Sequence, residues 1–419
     1  MSSRERAILV GLIRRGGERG QVEEYLEELE LLADTAGADV VERVVQEREK
    51  MDAAYMIGRG KANDLALMAK YLDADLIVFD DDLSPAQARN IERLCGVKIL
   101  DRSGLILDIF ARNARSREAR IQVELAQLQY LVPRLTRQWT HLSRQIGGIG
   151  VRGPGETQLE VDRRAVRRRI AALERHLHKI AHQRTIRRKG RRDLFKAALV
   201  GYTNVGKSTL LNALTDAGVF VENRLFATLD ATIRGLELSE YRRILLVDTV
   251  GFIRKLPHHL VASFKSTLEE AADTDLLLHV IDIAHANFQE QMHTVEGVLK
   301  ELELDKKPVL NVFNKIDLHP DASIFSELRD RYEPCVFVSA QRGIFLNELK
   351  KKIARIAEQS VTPLKITLPA DRYGLISRLH DLAEITSIRY ADSQAVIEMK
   401  ATPVNAQRIR GICDAYSGH

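Results

Sequence analysis

Residues 195–214 read FKAALVGYTNVGKSTLLNAL: an apolar strand, a loop bounded by glycines, and an apolar-faced helix, in that order. Gly201, Gly206, Lys207 and Ser208 fit the spacing G-x-x-x-x-G-K-[ST] in full. That loop brings backbone N–H groups around phosphate oxygens. Lys207 is expected to reach the β- and γ-phosphates and Ser208 to ligate Mg2+. The candidate contacts are Gly201, Tyr202, Thr203, Asn204, Val205, Gly206, Lys207, Ser208 and Thr209. A strand feeding a helix through such a loop belongs to a parallel α/β sheet, whose ligands sit beyond the carboxyl ends of the strands.

Working outward toward the C-terminus, three more stretches place polar residues at strand ends. RRILLVDTVGF (242–252) sets Asp248 where it can hold a Mg2+ shell. Gly251 follows where an N–H can sense a γ-phosphate, with Thr249 and Val250 between them. PVLNVFNKIDL (308–318) contributes Asn314, Lys315, Ile316 and Asp317. The Asp317 carboxylate can accept from both the guanine N1–H and the exocyclic amine, a donor pair that adenine lacks, so GTP is expected over ATP. CVFVSAQRG (335–343) brings Ser339, Ala340 and Gln341 toward the guanine carbonyl. Between the first and second stretches lies ENRLFATLDATIRG (222–235). A switch loop there needs a threonine to complete the Mg2+ shell, and Thr228 and Thr232 are the candidates. Lys207, Gly251 and one of these two threonines, Thr228 or Thr232, are the residues expected to act in catalysis. In Ras-like proteins a glutamine after D-x-x-G orients the attacking water; here Phe252 stands at that position, so slow intrinsic hydrolysis is expected.

Toward the N-terminus the pattern changes to a seam. Ile121, Leu125, Leu128, Val132, Leu135, Trp139, Leu142 and Ile146 step by four and three, and the pattern resumes at Val166, Ile170, Leu173, Leu177 and Ile180. Two arms of roughly 25 residues, or ~35–40 Å, would form an antiparallel helical hairpin with a kink at Pro133. Its tip, GGIGVRGPGETQ (147–158), satisfies G-x-G-x-x-G at Gly148, Gly150 and Gly153. A dinucleotide fingerprint needs a strand before it, and here a helix precedes it, so the stretch reads as a flexible tip. Thr157 and Glu160 read as the capping box of the second arm.

The net charge of +5 is modest over 419 residues, but its distribution is uneven. Residues 163–192 hold thirteen Arg or Lys and a single glutamate, Glu174. Such a run points first to nucleic-acid phosphates and second to a membrane surface. Arg152, Arg163, Arg164, Arg167 and Arg168 are the candidate RNA contacts. His178 and His182, four apart, read as a solvated face. The three cysteines (Cys95, Cys335, Cys413) have no metal spacing and fit a reducing cytoplasm. No apolar run approaches the ~18 residues of a membrane span, and a single copy in the cytoplasm is expected.

Residues 1–110 alternate apolar runs (AILVGL, DLIVFD, VKIL) with helical patterns, and SPAQARNIERLC has Ser84 as N-cap and Pro85 at the first helical position. IGRGKAND (57–64) reads as a strand-to-helix turn. The last sixty residues suggest a small α+β domain without a chemical motif. The expected organisation is an N-terminal α/β subdomain (1–115), a basic helical hairpin with a glycine-rich tip (116–192), a nucleotide domain (193–358) and a small C-terminal α+β domain (359–419).

GGIGVRGPGETQLEVDRR, GYTNVGKST, FATLD, DTVGFI and NKID, in this order, resemble the HflX family of translation-associated GTPases across most of the chain. The first stretch is the most diagnostic, because generic GTPases lack it. The resemblance implies an α/β fold with a P-loop GTPase domain preceded by a small α/β subdomain and a long helical hairpin. It implies that FATLD (Phe226, Ala227, Thr228, Leu229 and Asp230) faces the nucleotide, with Thr228 as the Mg2+ ligand. It further implies binding to the large ribosomal subunit and its rRNA, and the splitting or rescue of stalled ribosomes under stress such as heat; a GTP-gated factor in ribosome assembly is the alternative. The hairpin would approach the peptidyl transferase centre. Asn204 has two readings: it resembles the asparagine that supports K+ in potassium-activated GTPases, and it suits a turn.

Overall fold

The computed structural model describes residues 4–135, 158–188, 194–215, 225–226, 232–239, 242–255, 270–319, 323–359, 362–369, 375–376, 379, 382–391, 394–401 and 403–417. The chain divides into two compact units. One comprises Met1–Ile180 with Val221–Asp230 and Val250–Leu268; the other comprises Ala181–Phe220, Ala231–Thr249 and Glu269–His419.

The first unit is built on a four-stranded parallel sheet in the order β2-β1-β3-β4. Its strands are β1 (Glu5–Arg14), β2 (Ala38–Arg48), β3 (Leu76–Phe79) and β4 (Lys98–Asp101). β1 is buried without a break from Ala7 to Ile13, as a strand covered on both faces must be. Ile8, Val10 and Leu12 join the core under α2 (Arg59–Tyr71) and α3 (Pro85–Cys95). The opposite face meets α1 (Arg19–Ala36), and only a glycine lets that helix approach: a Cβ on Gly11 would lie 2.8 Å from Val22 Cγ1. α3 starts as expected. Ser84 accepts from the Gln87 N–H, Gln87 reaches back to the Ser84 N–H, and Pro85 occupies the first turn. IGRGKAND falls at the start of α2, with Gly58 at φ 86 before it, although β2 ends ten residues earlier, at Arg48.

β2 and α4 (Arg102–Asn113) were not expected from the sequence, and α4 buries Leu105, Ile106, Leu107, Ile109 and Phe110. The seam begins in α5 (Arg117–Leu131) and breaks at Pro133, where a short 3-10 turn spans Val132–Arg134. Proline lacks the N–H the helix needs and its ring clashes with the carbonyl four residues back. The second arm, α6 (Gln158–Arg188), runs for 31 residues, longer than expected, or about 46 Å. Arg169 clasps Glu124 through two bonds of 2.7 and 3.0 Å, and Arg163 donates to the Leu135 carbonyl at 2.9 Å. Moving down one arm moves up the other, so the arms are antiparallel. Val166 and Leu173 are buried on the seam, with Ile170 and Leu177 half-buried. Trp139, Leu142, Ile146, Gly148, Gly150, Gly153 and Thr157 lie outside the described residues.

The second unit carries a six-stranded sheet in the order β10-β9-β8-β5-β7-β6. Its strands are β5 (Lys196–Gly201), β6 (Thr232–Ser239), β7 (Arg242–Asp248), β8 (Leu276–Asp282), β9 (Val309–Asn314) and β10 (Cys335–Phe337). All neighbours are parallel except β6, which runs against β7. The helices are α7 (Lys207–Thr215), α8 (Phe288–Glu301), α9 (Ile324–Arg331) and α10 (Leu346–Gln359). Central strands β5 and β8 are almost wholly buried, which explains their unbroken apolar reading. Further along, β11 (Thr362–Pro369), β12 (Glu384–Ala391) and β13 (Gln394–Ala401) form an antiparallel sheet in the order β11-β13-β12. It shares a core of Leu364, Leu368, Ile397 and Met399 with Ala406 and Ile409 of α11 (Pro403–Ser417). β12 begins at Glu384.

Candidate functional site

The loop between β5 and α7 is shaped by two glycines at positive φ, 153° at Gly201 and 93° at Gly206. A Cβ on Gly201 would sit 2.3 Å from the Val280 carbonyl oxygen, and one on Gly206 would sit 2.5 Å from Asn314 Nδ2. No other residue type fits either place, so the close-wrapped backbone is fixed by the sequence. Asn204 also adopts a left-handed conformation, at φ 61°, which suits its turn reading. Tyr202, Thr203 and Val205 are buried around the same loop.

Lys207, the first residue of α7, is only 7% exposed. Its Nζ donates to the carbonyls of Tyr202 (2.6 Å) and Gly201 (3.1 Å). Burial pushes this amine down to about 8, against the pull of the Asp248 carboxylate. Ser208 Oγ donates to Asp248 Oδ2 at 2.6 Å, so the two residues expected around Mg2+ are brought together. Thr249 beside them turns its hydroxyl to the Leu199 carbonyl at 2.6 Å and braces the strand ends. Thr232, one of the two candidate switch threonines, opens β6 in register with Asp248; Thr228 lies outside the described residues, as do Ala227, Leu229 and Asp230. Val250 and Gly251 are buried, and so is Phe252 at 2% exposure.

At the other end of the loop, Asn314 bridges two segments. Its Nδ2 donates to the Val205 carbonyl at 2.8 Å, and its Oδ1 accepts from the Ala340 N–H at 2.9 Å. Lys315, at φ 64°, lays its amine on the Asn204 carbonyl (3.0 Å) and on Asp282 (2.6 Å). Asp317 sits in the 3-10 turn Ile316–Leu318 with Arg342 Nε 3.8 Å from its carboxylate. Ser339 is fully buried and accepts from the Arg342 N–H, while Gln341 is exposed. The structure therefore places Gly201 to Ser208, Asp248, Asn314, Lys315, Asp317, Ser339 and Ala340 at the carboxyl ends of the strands of one sheet. Asp282 and His279 were missed. Asp282 ends a buried apolar strand, a signal that could have found it. His279, on β8, is 2% exposed, and burial first, then the charge of Lys207, lowers its ring to about 4.

Phe226 is buried in the first unit, where its ring meets Phe110 edge-on at 4.6 Å and its carbonyl accepts from Asn113 Nδ2 at 2.9 Å. On α6, Arg164, Arg167 and Arg168 are exposed, Arg163 is partly taken up by Leu135, and Arg152 lies outside the described residues. His178 is exposed and His182 lies outside the described side chains; among the described residues no metal-holding group of His, Cys, Asp and Glu occurs. His258 and His259 also lie outside the described residues.

These residues suit a nucleoside triphosphate with Mg2+: a backbone cradle that a Cβ would fill, a buried amine, and a hydroxyl–carboxylate pair of hard oxygen donors. Residues 23–111 match the family described as GTP-binding GTPase N-terminal, residues 113–191 the GTP-binding GTPase middle region, and residues 196–315 the 50S ribosome-binding GTPase. The chain is 50% identical to the GTPase HflX of Flavobacterium psychrophilum over 76% of its own length and 77% of that protein. It is 43% identical to the GTPase HflX of Caldanaerobacter subterraneus over 97% of its length and 93% of the relative. With the GTPase HflX of Escherichia coli it shares 45% identity over 86% of each chain. Among solved structures, a GTP-binding protein of Sulfolobus solfataricus in complex with GDP is 27% identical, with a TM-score of 0.46, over 85% of this chain and 99% of the other.

Proposed function

The chain belongs to the HflX family of GTPases, and we propose that it hydrolyses GTP as a switch on the large ribosomal subunit, where it splits or rescues stalled ribosomes. It is a P-loop GTPase: attack of water on the γ-phosphorus breaks the bond to the β–γ bridging oxygen and releases GDP and phosphate. The observation that carries the chemistry is the Ser208–Asp248 pair beside the buried Lys207 amine. Ser208, Asp248 and Thr228 would hold Mg2+, which supplies positive charge at the β- and γ-phosphate oxygens. Lys207 binds the same oxygens, Gly251 offers its N–H to the γ-phosphate, and Asp317 reads guanine. Phe252 offers no hydrogen bond to water, so fast turnover calls for an outside activator, and Asn204 is the candidate support for K+ beside the phosphates.

The ribosomal part of the reading is supported by the matched description of residues 196–315 and by the exposed arginines of α6. rRNA phosphates are the partner such a face suits. The working divisions are 1–115, 116–192, 193–358 and 359–419, with residues 116–192 as the RNA-contacting hairpin. Among the described residues no helix is long and apolar enough to cross a membrane; a monomer acting in the cytoplasm is part of the proposal. Sedimentation with purified ribosomal subunits in the presence of a non-hydrolysable GTP analogue tests it. Co-migration with large subunits and release of small ones is expected. Binding confined to immature particles would favour a gating role in ribosome assembly.

A further inference from the structure

In an open parallel sheet, ligands bind beyond the carboxyl ends of the strands, where the strand order reverses. In the first unit that point lies between β1 and β3. β1 ends at Arg14, and β3 runs directly into Asp80 and Asp81. The crevice is filled by the chain itself. Lys255 Nζ lies 2.5 Å from Asp80 Oδ2 and 2.8 Å from Asp81 Oδ1. Arg254 lies 3.2 Å from Glu28 and stacks its guanidinium 3.3 Å above the Tyr25 ring. The buried Arg102 joins Asp80 at 2.5 Å and also pairs with Glu28, and Arg14 meets Asp81 at 3.0 Å. Burial raises the Asp80 carboxyl, but Arg102 and then Lys255 outweigh it and hold it below its ordinary range.

Arg254 and Lys255 directly follow DTVGFI, three and four residues past Gly251. The other nucleotide-sensing stretch is held in the same unit through Phe226, Phe110 and Asn113. We infer that Arg254 and Lys255 are an internal cationic ligand of the N-terminal sheet, a latch that couples the position of the Gly251 segment to the N-terminal unit. The stacking of Arg254 between a carboxylate and an aromatic face fixes its direction, so the latch specifies one placement of the segment. Without these two cations, Glu28, Asp80 and Asp81 would face Arg14 and Arg102 with an excess of largely buried negative charge. Opening is therefore resisted. Any ligand that moves Gly251 feels that resistance, and by linkage the latch feels the ligand.

This inference rests on the reading of Gly251 as the γ-phosphate sensor. Such a sensor makes GTP affinity depend on the latch while GDP affinity does not. The test is equilibrium binding of both nucleotides to the full chain carrying Lys255→Ala, Asp81→Asn, or both. Each single change is expected to shift the ratio of GTP to GDP affinity by about fivefold or more in the same direction. The double change should shift it no further than one alone. Retained GDP binding shows that the variant is folded and that the nucleotide pocket stands. A ratio unchanged in both single variants, or shifts that simply add in the double variant, overturns the latch.

Discussion

At Lys207 burial and charge pull in opposite directions, and burial is the stronger. An amine with a pKa of about 8 in the free protein carries its charge fully only below that value. Affinity for GTP and GDP should therefore fall as pH rises through about 8, where an ordinary lysine would hold on past 10. Binding measured from pH 7 to 9.5 checks this, and a flat profile contradicts it. His279 shows the converse. Its folded value is about 4, whereas an unfolded histidine takes its proton near ~6.5. Between those values the unfolded chain binds more protons, so stability falls as pH drops from ~6.5 toward ~4, by up to roughly 3 kcal/mol. Thermal unfolding over that window should show a slope that His279→Asn flattens. At the base end, Asp317→Asn replaces an acceptor with a donor. A loss of GTP affinity of roughly 100-fold or more is expected, with xanthosine triphosphate preferred instead, because its C2 carbonyl matches the new amide. Nucleotide competition reads the exchange.

Elements differ in how plainly they were written. The β5–loop–α7 unit was legible because Gly201 and Gly206 answer to geometry: their φ angles and the absent Cβ leave one solution. Gly206→Ala should accordingly cost nucleotide binding by more than about tenfold, through strain at positive φ and the collision with Asn314. Fluorescent-nucleotide titration would show it, with unaltered affinity as the contrary result. Ser84 and Pro85 likewise announced α3 through their cap chemistry. β2 was illegible for a physical reason: it is a sheet-edge strand whose ADVVERVVQER buries only Ala38 and Val44 and carries charges throughout. α4 failed in the other direction, since RSGLILDIF is buried on nearly every side, Arg102 and Ser103 included, and its apolar run is short enough to pass for a strand. β6 was hidden inside a stretch read for its threonines, and Thr232 proves to be the strand's first residue. The hairpin was read from its period, and Pro133 broke it where proline chemistry requires. Within the candidate site, Asp248, Asn314 and Asp317 were legible from strand-end position; the work of Asn314 as a bridge between two loops was not, because both its partners are backbone groups.

At the scale of the whole molecule, the proposed function needs both a nucleotide site and a basic helical arm. Arg164, Arg167 and Arg168 are exposed, whereas Arg169 is held by Glu124. Replacing the three by glutamate should weaken large-subunit binding and flatten its salt dependence, since each phosphate contact adds close to one unit of slope. The latch at Lys255 offers a route by which such binding could reach Gly251. The most direct measurement is GTP turnover with and without purified large ribosomal subunits, each variant compared with its own unstimulated rate. A stimulation of about tenfold or more that disappears in the Arg164→Glu, Arg167→Glu, Arg168→Glu protein is the predicted result. No stimulation, or the same stimulation in that variant, would contradict a ribosome-triggered switch.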